Sequence, residues 1–470
     1  MSQTDETGEL GYLSIAEASR RFDDGSLAPT ALTRALFERI DATDDALNSY
    51  VRVMPESAIA EAEAAEERAR GGRRLGPLDG IPIAVKDLYD TAGVVTAGGT
   101  GAYRERVPLE DATAVRRLRE AGAVVLGKTN THELALGGTT NNVHFGATHN
   151  PWRLERVPGG SSGGSGSALA GGQALGALGT DTGGSIRIPA AFCGVTGHKP
   201  TYGLVGRGGV MPLSLTLDHA GPMARSAEDC ALMLRVLAGP DPLDHDSAMR
   251  EGEDYAAQLG AGVAGLRLAV IPSLVEDCAE DVAENFERAL DTLRSLGATI
   301  DRREPMAGYP DWRQVLGPVL VAEGATHNET ILRQWPQTIG EPVRTRMLRG
   351  LEVPATAYVR GLEMRKVVEA RFEATLAEGF DAYVVPTSPQ TAEPIGEDPH
   401  TEAAPPFKFR NTYVFDCTHQ PSISVPNGFD GHELPTGLMV TARKFADGLV
   451  LRIAHAFQQA TDYHLRRPEF

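Results

Sequence analysis

The chain has 470 residues, 41% of them hydrophobic and 6% aromatic, which is enough for one large α/β unit or for two to three smaller domains. Its 45 basic residues against 63 acidic ones leave a formal charge of −18, which repels phosphate backbones and anionic headgroups, so neither nucleic acid nor a membrane surface is an expected partner. No run approaches the ~18 consecutive apolar residues of a membrane helix, and the four cysteines (Cys193, Cys230, Cys278, Cys417) lack the paired spacing of a zinc site or a disulfide framework.

The first residues, MSQTDETGELGYLS, are acidic where a secretory leader is basic and contain no apolar stretch, which predicts a cytoplasmic protein. Ser14 followed by Glu17 spells a capping box that opens a short helix, residues 30–40 repeat apolar side chains at helical spacing, and a third helix from about Glu56 stops at Gly71 and Gly72. The period then changes. GIPIAVKD (80–87) alternates large and small residues and reads as a strand ending at Lys86 and Asp87. Residues 111–121 read as a helix stopped by Gly122, and 123–126 as a buried strand. Further on, helices are predicted over 226–237, 279–296, 355–377 and 449–461, and strands over 266–271, 381–385, 422–425 and 438–441. No charge run, Pro-rich linker or repeat interrupts this alternation, so the expected fold is α/β: a single large domain with a mixed, twisted sheet core flanked by helices.

Glycine is in excess, 52 residues of 470 or about 11% against a usual ~7%, and 17 of the 52 fall between Gly159 and Gly209. A linker, a phosphate cradle, or a backbone that must approach a substrate closely would each account for it. The segment sits inside one continuous α/β pattern, which argues against a linker. GAVVLGKT (122–129) satisfies the phosphate-loop spelling, but the residues between its glycines are themselves a strand, where a phosphate loop follows its strand and leaves N–H groups free. GGSSG (159–163) satisfies the nucleophile-elbow spelling, with His419 and His455 available as later partners, yet Pro158 and its loop stand where the preceding strand belongs. His132 and Glu133 fail the HExxH pattern because residue 136 is Leu, and His144 and His149 are five apart, wrong for one helix face, so no metal site is expected. Cys193, with His198 nearby, reads as a small core residue rather than as a thiol nucleophile.

Three polar residues stand in unusual settings. Lys86 ends an apolar strand, and burial there disfavours its charged form; a neutral lysine is a base. Moving its pKa from ~10.4 to near 7 takes about 5 kcal/mol, within the range known for buried lysines. Pairing with Asp87 or reaching solvent is the plainer alternative. Ser185 follows two glycines in DTGGSIR (181–187), where main-chain N–H groups can converge as an oxyanion hole. Ser161 and Ser162 lie in PGGSSGG (158–164), whose glycines admit backbone conformations that other residues resist.

Taken in order, GIPIAVKD, GKTNTHEL, NPW, PGGSSGGS, GTDTGGSIRIPAAFCG and HKPTYG resemble the amidase signature family, which hydrolyses or transfers amides through a Ser-Ser-Lys triad. The resemblance is dense from about Gly76 to Gly239 and thinner elsewhere, with FDAYVVPTSPQTAEPIGE and PSISVPNGF similar to later segments of the family. It implies one amidase domain over 1–470, with N-terminal helices in 1–75, a signature core in 76–239, and a part shaping the substrate cleft in 240–470. It further implies Ser185 as acyl-forming nucleophile, Ser161 as the bridging serine at a cis peptide, and Lys86 as base. Thr182, Gly183, Gly184 and Ser185 would line the oxyanion hole, with Ser162, Asp181 and Arg187 behind them and Ala135 near the substrate. No cofactor or metal is implied, and a homodimer is expected by analogy.

Within the family the expected activity is hydrolysis of a small linear amide, a C–N bond other than a peptide bond, by a free-standing amidase. The alternative is the A subunit of the glutamine-dependent amidotransferase acting on mischarged tRNA. That subunit, by resemblance, carries an acidic glutamine-holding residue twelve positions before the Pro equivalent to Pro421; here the position is Phe409, and Asp416 stands where the subunit tends to carry Asn. Arg346 and residues 407–412 are further candidates for the cleft wall. ATP binding through Gly122 to Thr129 is the alternative of another class.

Overall fold

The computed structural model describes residues 9–309, 312–396 and 409–470. The acidic leader-region residues 1–8 and the candidate wall positions 407 and 408 lie outside the described residues. The fold is a single α/β domain built on one eleven-stranded mixed sheet. Its strands are β1 (Tyr50–Val53), β2 (Pro82–Lys86), β3 (Val124–Thr129), β4 (Gly176–Asp181), β5 (Thr196–Lys199), β6 (His219–Ala224), β7 (Arg267–Val270), β8 (Thr299–Arg302), β9 (Ala382–Pro386), β10 (Ser422–Phe429) and β11 (Pro435–Ala442). Their order across the sheet is β1-β3-β2-β4-β6-β5-β10-β11-β9-β7-β8. Strands from both halves of the chain thus hydrogen-bond into one sheet, with β10 joining β5. Among the described residues no helix is long and apolar enough to cross a membrane.

All five residues of β2 are buried, as are all six of β3 and of β4. A strand covered on both faces reads as a continuous apolar run, as PIAVK and VVL do. β2 runs parallel to both neighbours, with Val85 opposite Lys128 on one side and Leu178 on the other. The C-terminal ends of β2 and β4 therefore deliver Lys86 and Asp181 to the same edge, the place where parallel α/β sheets hold their ligands. The Gly163–Ala170 helix is buried at every position. Its three glycines let it approach this far: a Cβ on Gly164 would fall 2.5 Å from the carbonyl oxygens of Asn130 and Ser49.

Several elements are absent from the sequence reading, among them β6, β8 and the helices Trp312–His327 and Glu341–Leu351. Residues 50–53 form an antiparallel edge strand on β3 where helices alone are predicted; YVRV is short and only Tyr50 is buried, so it carries no alternation to read. In the Gly-rich region, β4 (GALGTD) and β5 (TGHK) escape the sequence reading because glycine and polar residues replace the apolar pattern. The GKT of the phosphate-loop spelling lies inside β3, with its backbone in the ladder.

Candidate active site

Lys86 is fully buried and its Nζ lies 2.8 Å from Ser161 Oγ, 2.8 Å from Ser162 Oγ and 2.7 Å from Thr180 Oγ1. A neutral amine has two N–H donors and one lone pair, which matches three hydroxyl partners. Ser162 Oγ already donates to Thr180 O and so accepts from the lysine. Burial pushes the Lys86 ammonium down to about 7, against the opposing attraction of Asp181 and then Asp218. The plainer alternative, pairing with Asp87, is not found: Asp87 faces Lys128, 3.8 Å away.

The Gly160–Ser161 peptide bond is cis. Two donors fix the Ser161 carbonyl from the segment after β3, Thr131 Oγ1 at 2.9 Å and the His132 N–H at 3.1 Å, while Thr140 Oγ1 donates to the neighbouring Gly159 O at 2.8 Å. His132 is itself held neutral, its imidazole pushed down to about 3 by burial and by Arg346.

Ser185 is 8% exposed, at the open side of this cluster. Among the described residues its hydroxyl has no hydrogen-bond partner; the Lys86–Ser161 contact is formed and the Ser161–Ser185 contact is not. The N–H groups of Thr182, Gly183 and Ser185 likewise find no protein acceptor, whereas the Gly184 N–H donates to Asp181 Oδ1 at 2.5 Å. Gly184 therefore differs from the sequence expectation: its N–H is committed to the carboxylate. Its role is conformational, with φ +131 and a would-be Cβ 2.3 Å from Thr412 Oγ1.

Asp181 anchors the turn. It accepts from the N–H groups of Gly184 and Ile186 and from Arg187 Nε and Nη2, both at 2.9 Å. Burial opposes its ionisation, but the Arg187 guanidinium outweighs this and holds its carboxyl well below the usual range. Arg187 also donates to Asp416 Oδ2 at 2.7 Å and to Thr412 O at 3.0 Å, tying the Ser185 turn to the Arg410–Cys417 helix. Burial, and then Asp181, push the Asp416 carboxyl well up, against the attraction of Arg187 and Lys199. Asp416 faces Arg187, not an open cleft.

Side chains of the C-terminal half pack against the glycines around this turn. Phe409 approaches Gly138 so closely that a Cβ there would lie 2.2 Å from the ring, and Tyr413 lies against Gly183. Arg346 donates to Leu136 O at 3.0 Å. Ala135 is held with φ +59 and lines, with Thr180, Asp218 and Met211, a cavity of about 260 Å³ on the Thr180 side of the cluster. Of the other sequence candidates, His419 is stacked on Tyr202 with centroids 4.0 Å apart. Cys193 Sγ lies 3.3 Å from Pro158 O, and burial pushes its thiol up, away from thiolate chemistry. Sequence reading misses Thr180 and Asp218. Thr180 carries a signal, since it lies one residue before the Asp of DTGGS, whereas Asp218 has none within its own segment.

A profile of the family described as Amidase matches residues 31–451. The chain is 38% identical to the A subunit of the glutamyl-tRNA(Gln) amidotransferase of Chloroflexus aggregans, over 98% of this chain and 99% of that one. Among solved structures, a chain from a complex described as vestigial and as revealing the origins of an s-triazine catabolic enzyme superposes with a TM-score of 0.90 at 32% identity, covering 97% of this chain and 100% of that chain. The native peptide amidase of Stenotrophomonas maltophilia superposes at 0.85 with 33% identity, over 97% and 98%.

Proposed function

Since the chain belongs to the amidase signature family, we propose that it cleaves a carboxamide through an acyl-enzyme on Ser185, with Ser161 and Lys86 as proton relay. The observation that carries this reading is the buried Lys86 Nζ 2.8 Å from Ser161 Oγ. Lys86 takes the Ser161 proton, Ser161 takes that of Ser185, and Ser185 Oγ attacks the carbonyl carbon. The oxyanion settles against the free N–H groups of Thr182, Gly183 and Ser185. The relay run backwards protonates the departing amine, and a water or an acceptor nucleophile then releases the acyl group. Ser185 must come within hydrogen-bond distance of Ser161 in the reacting complex, a tightening common on substrate binding.

Two substrates fit that chemistry. The relatives favour glutamine: the similarity to an amidotransferase A subunit spans 98% of this chain, and on that reading the chain works with other subunits and tRNA. The charge of −18 then bars nucleic acid from this chain's own surface, not from a complex in which another subunit holds it. One side chain favours the second reading, a free-standing cytoplasmic hydrolase of small linear amides: apolar Phe409 occupies the wall at Gly138 where the subunit is expected to carry an acid. Ammonia release from glutamine, with the chain alone and with partner subunits plus tRNA, tests both, alongside a panel of primary, aryl and peptide-type amides. Partner-dependent glutaminase activity supports the subunit. Turnover of panel amides by the chain alone supports the hydrolase, and an acyl adduct on any side chain but Ser185 overturns the shared mechanism.

A further inference from the structure

The Thr182 hydroxyl donates to Asp218 Oδ1 at 2.6 Å, entirely within the protein. Asp218 directly precedes β6, whose first residue His219 pairs with Asp181 at the end of β4, so the ladder sets residue 218 beside residue 182. The other carboxylate oxygen of Asp218 accepts the N–H groups of Leu213 at 2.8 Å and Ser214 at 3.0 Å. Leu213, Asp218 and Thr180 together line the 260 Å³ cavity beside the lysine cluster. A single buried carboxylate thus joins three things: the segment that bears the free N–H groups, the wall of a cavity, and the surroundings of Lys86.

Resting on the reading of Ser185 as nucleophile, we propose that Asp218 is a positioning residue for the oxyanion segment, holding Thr182 so that its N–H and that of Gly183 stay turned to the cleft. A threonine side chain free to rotate would let the turn relax toward the cavity, since Thr182 has no other side-chain partner among the described residues. Asp218 also acts at a distance. Its charge and that of Asp181 are the anions near Lys86, and both favour the ammonium form. His132 faces the lysine from the segment after β3 as a neutral ring. Across Asp218, Arg207 donates to the Asp218 carbonyl at 3.3 Å and pairs with Asp244 and Asp246. Burial raises the Asp218 carboxyl while Thr182, the Leu213 and Ser214 N–H groups and Arg207 lower it.

The test reads bond formation at Ser185 directly, with a fluorophosphonate as probe. Ser185 Oγ bonds to phosphorus, the P–F bond breaks, fluoride leaves, and the serine proton passes to Ser161 and Lys86. Labelling of the full chain at Ser185 is the precondition: its absence in the wild-type protein overturns the nucleophile assignment and is told apart from failure of the Asp218 role. Thr182→Val should slow labelling by about tenfold or more, a fraction of the ~10²–10³ lost with a whole oxyanion donor. Thr182→Ser, which keeps the hydroxyl, should recover most of the rate. Asp218→Asn should slow labelling and also move the midpoint of its pH dependence downward, because the lysine loses a neighbouring anion. A merely structural role would lower the melting temperature without moving that midpoint. Wild-type rates in Thr182→Val, or an unmoved midpoint in an Asp218→Asn protein that still labels, overturns the proposal.

Discussion

In the proposed mechanism Lys86 serves as base because its surroundings supply hydroxyls and little compensating charge. With the ammonium pushed down to about 7 by burial, the amine is protonated, and unable to take a proton from Ser161, at acid pH. kcat/KM for amide cleavage is therefore expected to rise with pH through a midpoint near 7 and level off above it, measured on a substrate that does not itself titrate there. A flat profile from pH 5.5 to 8.5 would contradict a neutral-lysine base. Lys86→Ala should lower turnover by orders of magnitude while the chain keeps its circular dichroism spectrum, since the side chain ends among three hydroxyls and leaves no ionised partner behind. Ser162 is expected to be milder than Ser161, because it holds the lysine and is not a link to Ser185.

At the scale of elements, two connections hold the Ser185 turn, and their chemistry predicts different sensitivities. Arg187 neutralises a low-lying Asp181, so Arg187→Met strands a buried carboxylate and should cost about 3–5 kcal/mol in urea unfolding. Burial disfavours the charged form of Asp416, so Asp416→Asn should lower the urea midpoint less than Arg187→Met does. The Gly163–Ala170 helix supplies a second contrast. Gly164→Ala drives a methyl against fixed backbone at 2.5 Å and should cost about 1–3 kcal/mol or more. Gly166→Ala meets Pro189 Cβ at 3.1 Å and Cys193 Sγ and the Pro189 carbonyl oxygen at 3.2 Å, all outside 3.0 Å, and regains ~1 kcal/mol of helix propensity, so it should cost less than Gly164→Ala. These elements also show where sequence reading stops. β2 and β3 are legible because a doubly covered strand must be apolar, and Lys86 stands out against that background. β4 is not, because the glycines that let it pass beneath Ser162 and Ile186 erase the pattern. The links from Arg187 to Asp416 and from Thr182 to Asp218 span 229 and 36 residues, and periodicity carries no information over such separations.

Across the whole molecule, only 6 of the 45 basic residues are lysines, and Lys86, Lys128 and Lys199 are fully buried. The surface charge is therefore arginine against carboxylate, and the pH response of stability is dominated by what is inside. Burial pushes Lys86 and Lys199 down to about 7 and Lys128 down to about 8. Unfolding returns each to ~10.4, so between about pH 7 and 10 the unfolded chain binds more protons than the folded one, and stability rises with pH across that window. The buried thiols act in the other direction. Cys193, Cys230 and Cys417 are pushed up by burial, so above ~8.5 the unfolded chain ionises its cysteines while the folded one does not, and stability is drawn back down. The buried carboxyls Asp87 and Asp229, raised to about 6, have discharged their effect by pH 7, and Asp416, pushed well up by burial, opposes the climb as one group against three lysines. The urea midpoint should therefore climb from pH 7 to about 8.5 and then flatten. Among the described residues Lys199 Nζ donates to the Gln420 carbonyl and makes no hydrogen bond to Ser161 or Ser185, so Lys199→Met should flatten that climb while leaving the pH midpoint of kcat/KM near 7. A urea midpoint that falls steadily from pH 7 to 8.5 would mean that these lysines remain charged inside the protein, and the neutral base of the mechanism would fall with them.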